Sequence, residues 1–446
     1  MSFQKFTQKI REAGLNPIVE DAFSFYYNQV AQGASGKLSE AEIKPPAETN
    51  VVKYNEIKLT HPAPLDKLAV LKLNGGLGTS MGLSKAKTLL NVKNDLNFLD
   101  IIARQILTLR DQTQVDIPLL LMHSFNTQKD SLDYLSKYED LELSDIPLDF
   151  LQNKFPKLRQ EDLTPFSHAD DSKTWNPPGH GEIYMTLAIT GTLDKLLAAG
   201  KEYAFISNSD NLGSIVDEHI LGYFAENNLP FMMEVCKRSE MDKKGGHLAE
   251  THNGQLILRE TAQCPADEID TFEDIHHYKY FNTNSLWVNL KALKNKLDKN
   301  GNFLPLSLII NPKVVDNTPV YQLESAMGAA ISVFENSKAL LVDRERFAPV
   351  KKTNDLLIIR SDAYKLSSNY HLKLAIENPP VIDLDQKYFK LVDDFEKRFA
   401  QGIPSLKNCQ RFSLTGDVSF GKNVIIKGDV EYKSDKPITL QNCTLK

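Results

Sequence analysis

The chain is poor in cysteine and tryptophan, with four of the first and two of the second among 446 residues. Cys236, Cys264, Cys409 and Cys443 lie far apart and form no Cys-x-x-Cys spacing. That excludes a disulfide framework and a cysteine zinc site, and leaves free thiols. Long apolar runs are missing as well. Nowhere do about eighteen apolar residues follow one another, so no segment suits a membrane-spanning helix. The opening MSFQKFTQKIREAG carries no apolar signal core behind its basic residues, and cytoplasm is the expected location. Excess positive charge is absent: the formal charge is −6, which argues against a nucleic-acid partner, and no patch supports a membrane role. What remains, 41% apolar and 25% charged residues, is the composition of a globular protein long enough for one large core and a smaller companion.

Three regions separate along the chain. Residues 1–48 place Phe3, Phe6, Ile10, Phe23, Tyr26, Tyr27 and Val30 at helical spacing, broken at Asn16-Pro17 and closed by Gly33, Gly36 and Pro45-Pro46. This predicts a helical arm packed on the main body. Over residues 49–375, strand-like runs (Leu119 to Met122, Tyr203 to Ser207, Phe231 to Val235, Ala339 to Val342) alternate with helical stretches (Leu99 to Leu109, Gly191 to Ala199). Such alternation predicts a mostly parallel, Rossmann-like sheet covered by helices, with ligands at the strand carboxyl ends. Over residues 376–446, beyond Pro379-Pro380, two columns recur every six residues: Phe412, Val418, Val424, Val430 and Leu414, Phe420, Ile426, Tyr432. That period predicts a left-handed parallel β-helix, with antiparallel hairpins as the alternative. One or two coils fit before Lys446, a core so small that its open end needs a neighbour.

The segment LKLNGGLGTSMGLSKAK, Leu71 to Lys87, runs from an apolar strand into Gly75, Gly76, Gly78 and Gly82 and ends on a lysine. Such a loop brings backbone N–H groups against phosphate oxygens, with a helix from near Ser80 or Ser84 adding its N-terminus. Two familiar phosphate loops do not fit the spelling. No glycine precedes a lysine at the spacing of the nucleoside-triphosphatase loop. The dinucleotide fingerprint fails because position 81 is Met81 and the third glycine arrives one residue late.

The spelling resembles the nucleotidyl-transfer loop of sugar-nucleotide pyrophosphorylases, roughly GGxGTxxGxxxPK, and more narrowly the eukaryotic-type UTP:glucose-1-phosphate uridylyltransferase family. Further blocks follow in the family's order: LMHSFNT, WNPPGHGEIY, SNSDNLG, KKGGHL, FNTNSLW, ESAMGAAI and RFAPVKKTNDLL. The resemblance implies a GT-A-like nucleotidyltransferase core and a β-helical C-terminal domain making subunit contacts, hence a homo-oligomer. It also implies magnesium as cofactor, UTP and glucose 1-phosphate as substrates, and UDP-glucose and pyrophosphate as products.

That chemistry brings two anions together, so it needs cations and backbone donors, not a serine, cysteine or histidine nucleophile. Lys87 falls on the family's loop lysine. Ala86 stands where proline usually precedes it, which leaves open whether Lys85 shares the role. Lys351 matches the lysine reaching the phosphates from across the cleft, with Lys352 its solvated neighbour. Asp210, after an apolar strand, matches the magnesium ligand, although SNSDN alone also suits a turn. For the nucleotide the resemblance points to Leu73, Gly75, Gly76, Gly78, Gln152 as reader of the uracil edge, and Gly179 as backbone room for that base. For the sugar phosphate it points to His180, Lys244, Gly246, Glu260, Asn282 and Asn284. His276-His277 has no partner at ligand spacing and reads as structure. The rivals are a UDP-N-acetylhexosamine or broad-specificity UDP-sugar pyrophosphorylase and a non-catalytic UDP-sugar sensor. Sugar choice separates the first and pyrophosphate release the second.

Overall fold

The computed structural model of the protein describes residues 2–446; Met1, the first residue of the expected arm, lies outside them. Strand-forming runs that are apolar on both faces assemble the centre. In spatial order the main sheet runs Val51–Lys53, Lys338–Leu341, Phe231–Lys237, Tyr280–Asn289, Tyr203–Asn208, Leu68–Asn74, Leu119–His123 and Asp149–Leu151. Neighbours are parallel throughout except around Tyr280–Asn289, which is antiparallel to both strands beside it. The sheet is therefore mixed and mostly parallel. Leu68–Asn74 and Tyr203–Asn208 sit side by side at its middle, in a register pairing Leu73 with Asn208. The Gly loop and the Asp210 turn thus leave the same edge as neighbours.

Apolar side chains cover both faces. One cluster packs under helix Phe98–Thr113, another under the Ile183–Ile189 and Leu290–Lys299 helices. The expected strands and both helical stretches are present within a few residues of their sequence bounds.

One expectation needs correction. No α-helix follows the Gly loop: Thr79–Met81 and Lys87–Leu89 are single 3-10 turns, and the next α-helix is Phe98–Thr113. Gly78 and Gly82 bracket the first turn in left-handed conformation, φ 69° and 78°, which stops a helix at either side. The arm is helical only over Ser2–Glu12 and Pro17–Ala31, the second capped by Asn16 with Pro17 at its start. Past Gly33 and Gly36, both at positive φ, it runs as an extended strap. Ile43–Lys44 there pairs with Thr251 and Glu250, and Glu40 ion-pairs with the fully buried Arg259. The arm helices do pack on the body, Phe6, Phe23 and Tyr27 joining Phe155, Trp175 and Leu323.

At the C-terminus, Val381–Leu384, Ser405–Thr415, Val424–Lys433 and Cys443–Leu445 form one parallel sheet, and Val418–Phe420 with Ile438–Leu440 a second. Phe412 pairs with Val430 and Leu414 with Tyr432, three six-residue steps along the chain. Every member of the two apolar columns is buried except Tyr432, which is half-buried. Among the described residues the cysteines are free, and no helix is long and apolar enough to cross a membrane.

Candidate active site

A cleft of about 290 Å³ opens at the carboxyl edge of the central strands. Leu73, Gly75, Gly76, Lys87, Gln152, Gly179, His180, Asp210 and Lys351 all line it, from segments far apart in sequence. A second cleft of about 620 Å³ carries Lys244, Gly246, Glu260, Asn282 and Asn284. Lys351 lines both, so the two are continuous through that side chain.

The loop is held from below by polar side chains. The Thr127 hydroxyl donates to Asn74 O at 2.6 Å, Ser124 Oγ to Gly75 O at 2.8 Å, and Thr88 Oγ1 to Asn74 Oδ1 at 2.7 Å. The amide of Lys87 donates back to Gly76 O at 3.0 Å, closing the loop at its lysine. Gly78 does not line the cleft. Its place is in the turn, where a Cβ would meet Leu83 at 2.9 Å and the Lys87 stem at 3.3 Å. Lys85 is exposed outside the cleft lining, and Lys352 is exposed at the rim of the larger cleft.

Asp210 sits two residues past the Tyr203–Asn208 strand, with the segment before Lys351 fastened beside it. Asn211 Oδ1 accepts the Ala348 amide at 2.8 Å, Asn211 Nδ2 donates to Arg346 O at 3.1 Å, and Asp210 O accepts from Val350 N at 3.1 Å. Asp355 Oδ2 accepts the amides of Lys351 and Lys352 at 2.7 and 2.8 Å. Lys87 and Lys351 consequently converge on one oxygen, Asp210 Oδ2, at 2.6 and 2.8 Å. Burial alone would raise the carboxyl's pKa; the ammonium groups of Lys351 and Lys87 outweigh it and hold the group below the ordinary carboxylate range. The other oxygen, Oδ1, is buried with no hydrogen-bond partner among the described residues. A free, ionised carboxylate oxygen beside a phosphate-sized cleft fits a magnesium ion, which takes one or two carboxylates and completes its shell with substrate phosphates.

On the base side, Gln152 Nε2 donates to Gly179 O at 3.3 Å. Gly179 has φ 82°, and its missing Cβ makes room for Ser325, whose carbonyl oxygen a Cβ would approach to 2.3 Å. The Cβ side of this glycine is therefore filled by Ser325, while Gly179 itself still lines the cleft. His180 Nδ1 accepts the Met327 amide at 2.9 Å. Burial, then the charge of Lys351, holds the imidazole pKa down to about 4. Glu182, two residues on, accepts the Asn153 amide on Oε1 at 2.9 Å.

On the sugar side, Asn282 and Asn284 hold one another: Asn282 Nδ2 donates to Asn284 Oδ1, and the Asn284 amide to Asn282 Oδ1, both at 2.8 Å. Asn284 adopts φ 58°, tolerable for asparagine. Glu260 lies against Gly246, where a Cβ would come within 2.5 Å of its carboxylate. Burial pushes its pKa up to about 7. Lys244 is exposed at the rim. His276 and His277 donate their amides to Asp274, the His277 ring packs edge-on against Tyr278, and among the described residues no group of three metal-binding side chains gathers.

Sequence reasoning missed Asn211, Asp355 and Ser325. Their function is to fix backbone, and their only signal was position beside recognised blocks: Asn211 after Asp210, Asp355 at the start of the Thr353–Arg360 helix.

The sequence profile described as UTP--glucose-1-phosphate uridylyltransferase matches residues 20–427. The protein of that name from Solanum tuberosum is 41% identical over 444 residues, covering 96% of this chain and 92% of that one. A crystal structure of UDP-glucose phosphorylase from Trypanosoma brucei superimposes with a TM-score of 0.90 at 41% identity, covering 99% of each chain. A point mutant of UDP-glucose pyrophosphorylase from Leishmania major in complex with UDP-glucose superimposes with a TM-score of 0.90 at 38% identity, over 99% of this chain and 98% of that one.

Proposed function

This chain belongs to the UTP--glucose-1-phosphate uridylyltransferase family, an enzyme family joining UTP and glucose 1-phosphate into UDP-glucose and pyrophosphate, and we propose that it does so by direct in-line displacement at the α-phosphorus of UTP. The observation that carries this reading is the convergence of Lys87 and Lys351 on Asp210 above the glycine loop. The attacking sugar phosphate is already ionised, so no general base and no covalent enzyme intermediate is required. The demand is to suppress repulsion between two anions and to stabilise charge spread over the phosphoryl oxygens.

The assigned roles follow. Lys87 from the loop and Lys351 from the opposite wall neutralise phosphoryl oxygens on both sides of the reacting phosphorus. Amides of Gly75 and Gly76 face the triphosphate, Gly78 shapes the turn under Lys87, and Leu73 and Gly179 flank the nucleotide. Gln152, steadied through Gly179 O, reads the uracil edge with its remaining amide capacity. Asp210 Oδ1 would hold magnesium, which when bound supplies positive charge to the triphosphate oxygens. His180 meets the sugar phosphate. Asn282, Asn284, Glu260, Gly246 and Lys244 receive the sugar; the half-free amides and the raised carboxyl of Glu260 suit hydroxyl groups. The Leishmania major relative bound to UDP-glucose supports the same occupant here.

The chain divides into the arm (1–48), the nucleotidyltransferase body (49–375) and a C-terminal domain (376–446). We read that last domain as a left-handed parallel β-helix, supported by its parallel strands and three-hexad pairing. Contacts through its open end would make a homo-oligomer, and the cytoplasm is the location consistent with UTP as substrate.

Pyrophosphate release from UTP with glucose, galactose and N-acetylglucosamine 1-phosphates tests this reading. Glucose 1-phosphate should win, and no release with any of them would leave a sensor. Lys87→Ala and Lys351→Ala should each lower kcat by about 100-fold or more while changing UTP affinity far less, because their charges act mainly in the transition state. Equal small effects on both constants would sink the assignment.

A further inference from the structure

His180 sits between two glycines on the wall of the smaller cleft, and the group behind its ring decides what the ring can offer in front. The Met327 amide donates to Nδ1 at 2.9 Å. A backbone amide has no acceptor lone pair to give, so Nδ1 is the unprotonated nitrogen and the proton of the neutral ring resides on Nε2.

This contact is the end of a longer splint. Ser325 N donates to Pro178 O and Gly181 N donates to Ser325 O, each at 2.9 Å, so the Ser325–Met327 backbone runs along the Pro178–Gly181 loop. Only glycine allows that approach: a Cβ at Gly179 would lie 2.3 Å from Ser325 O, and one at Gly181 2.5 Å from Ser325 Oγ. The two glycines beside His180 thus serve the lock on the ring.

We propose that His180 is a neutral, donor-only contact, presenting Nε2–H to a phosphate oxygen of the sugar phosphate, and that the Met327 amide is the positioning group that fixes this proton. The inference rests on the reading of this cleft as the nucleotidyl-transfer site. A second proton would have to enter at Nδ1, against the amide hydrogen already there. The surroundings oppose it too: burial and Lys351 depress the pKa to about 4, and Lys87, also a cleft-lining cation, shares the single carboxylate Asp210 with Lys351. Glu182, two residues on, is engaged with the Asn153 amide, and the Ser325–Met327 segment contributes no charged side chain. With two ammonium groups already in the cleft, a neutral donor adds direction without a third positive charge to hold pyrophosphate back.

The direct test is the nitrogen spectrum of the unliganded, full-length protein labelled with ¹⁵N-histidine, the His180 signals being those lost in His180→Gln. The expected result is a pyridine-like Nδ1 and a pyrrole-like Nε2 that stay unchanged from about pH 5.5 to 8. A protonated Nδ1, or signals titrating in the ordinary histidine range, would overturn the proposal. Kinetics give the second arm. Gln can place an amide donor where Nε2–H stands, whereas Asn can keep an acceptor for Met327 but brings no donor to the cleft. His180→Gln should retain glucose 1-phosphate turnover within about tenfold, and His180→Asn should fall as far as His180→Ala, about 100-fold. Asn outperforming Gln would overturn the donor role. An inactive wild type would overturn the functional reading and the contact with it, while the spectrum would still report the proton's position.

Discussion

Two carboxyl groups near the cleft show how the same burial ends in opposite charge states. Asp210 has two ammonium neighbours and stays ionised. Glu182, 4% exposed, has no cationic partner among the described residues: its Oε1 accepts the Asn153 amide, and the neutral side chains of Asn153, Thr186 and Gln152 pull its pKa down less than burial raises it. Burial therefore pushes its pKa from 4.5 up to about 7. Between those two values the folded chain keeps a proton that the unfolded chain has released, so this group costs stability as pH rises through the window. Glu182→Gln, which keeps the acceptor for Asn153, should stabilise the protein by on the order of 2 kcal/mol at about pH 8 and by little at about pH 4.5. Urea melts at the two pH values read the difference. An effect of the same size at both would mean that folding does not raise the pKa of Glu182, and a loss at about pH 8 that it is paired and ionised in the native state.

Elements place the site by leaving one sheet edge together and by being tied to each other beyond it. Leu68–Asn74 and Tyr203–Asn208 deliver the glycine loop and Asp210 because they are parallel neighbours in register. The loop at Pro178–Gly181 follows the two-residue strand Trp175–Asn176, outside the main sheet, and is held by its splint to Ser325. Gly179→Ala places a Cβ against a carbonyl oxygen at a φ of 82°, with backbone on both sides unable to yield. A loss of about 2–4 kcal/mol is expected, together with turnover. Gly191 supplies the control: its φ is 69°, yet nothing lies within 4 Å of an added Cβ, so Gly191→Ala should cost about 1 kcal/mol and leave turnover intact. Thermal melts and kcat of the two variants, measured side by side, check the contrast; matching losses would mean that strain at positive φ, not the Ser325 contact, dominates.

For the whole molecule, the decisive feature is that one apolar cluster runs without a break from Leu65 and Phe98 in the body to Phe420 and Leu440 at the C-terminus. The Thr353–Arg360 helix, which starts two residues after Lys351, is the bridge: Thr353 Oγ1 donates to Phe389 O at 2.6 Å and Asn354 Nδ2 to Ile382 O at 3.0 Å. The C-terminal segment thereby braces the wall that carries Lys351. Phe420 is buried and stacks on Phe399 at 4.8 Å, so Phe420→Ala should cost about 3–5 kcal/mol. Because the core is shared, the melt of this variant should shift as one transition. Two resolved transitions in calorimetry would mean that the C-terminal strands unfold on their own.

The amino-acid sequence by itself determined the strand and helix pattern, the hexad columns and the residue types at the cleft, because periodicity and glycine-rich turns are local properties. Lys87, Asp210, Lys351, Gln152 and His180 were singled out by the family resemblance of the blocks that carry them, and the cleft brings them together. Only the tertiary structure decided which oxygen the two lysines share, that Gly78 serves the turn while Gly179 admits Ser325, and that the Met327 amide sets the proton on His180. The extended strap beyond Gly36 was likewise out of reach, since its strand partner lies some two hundred residues away in the chain, at Glu250 and Thr251. These are contacts between backbone groups distant in sequence. A backbone amide is the same in every residue but proline, so no side-chain pattern announces where it will point.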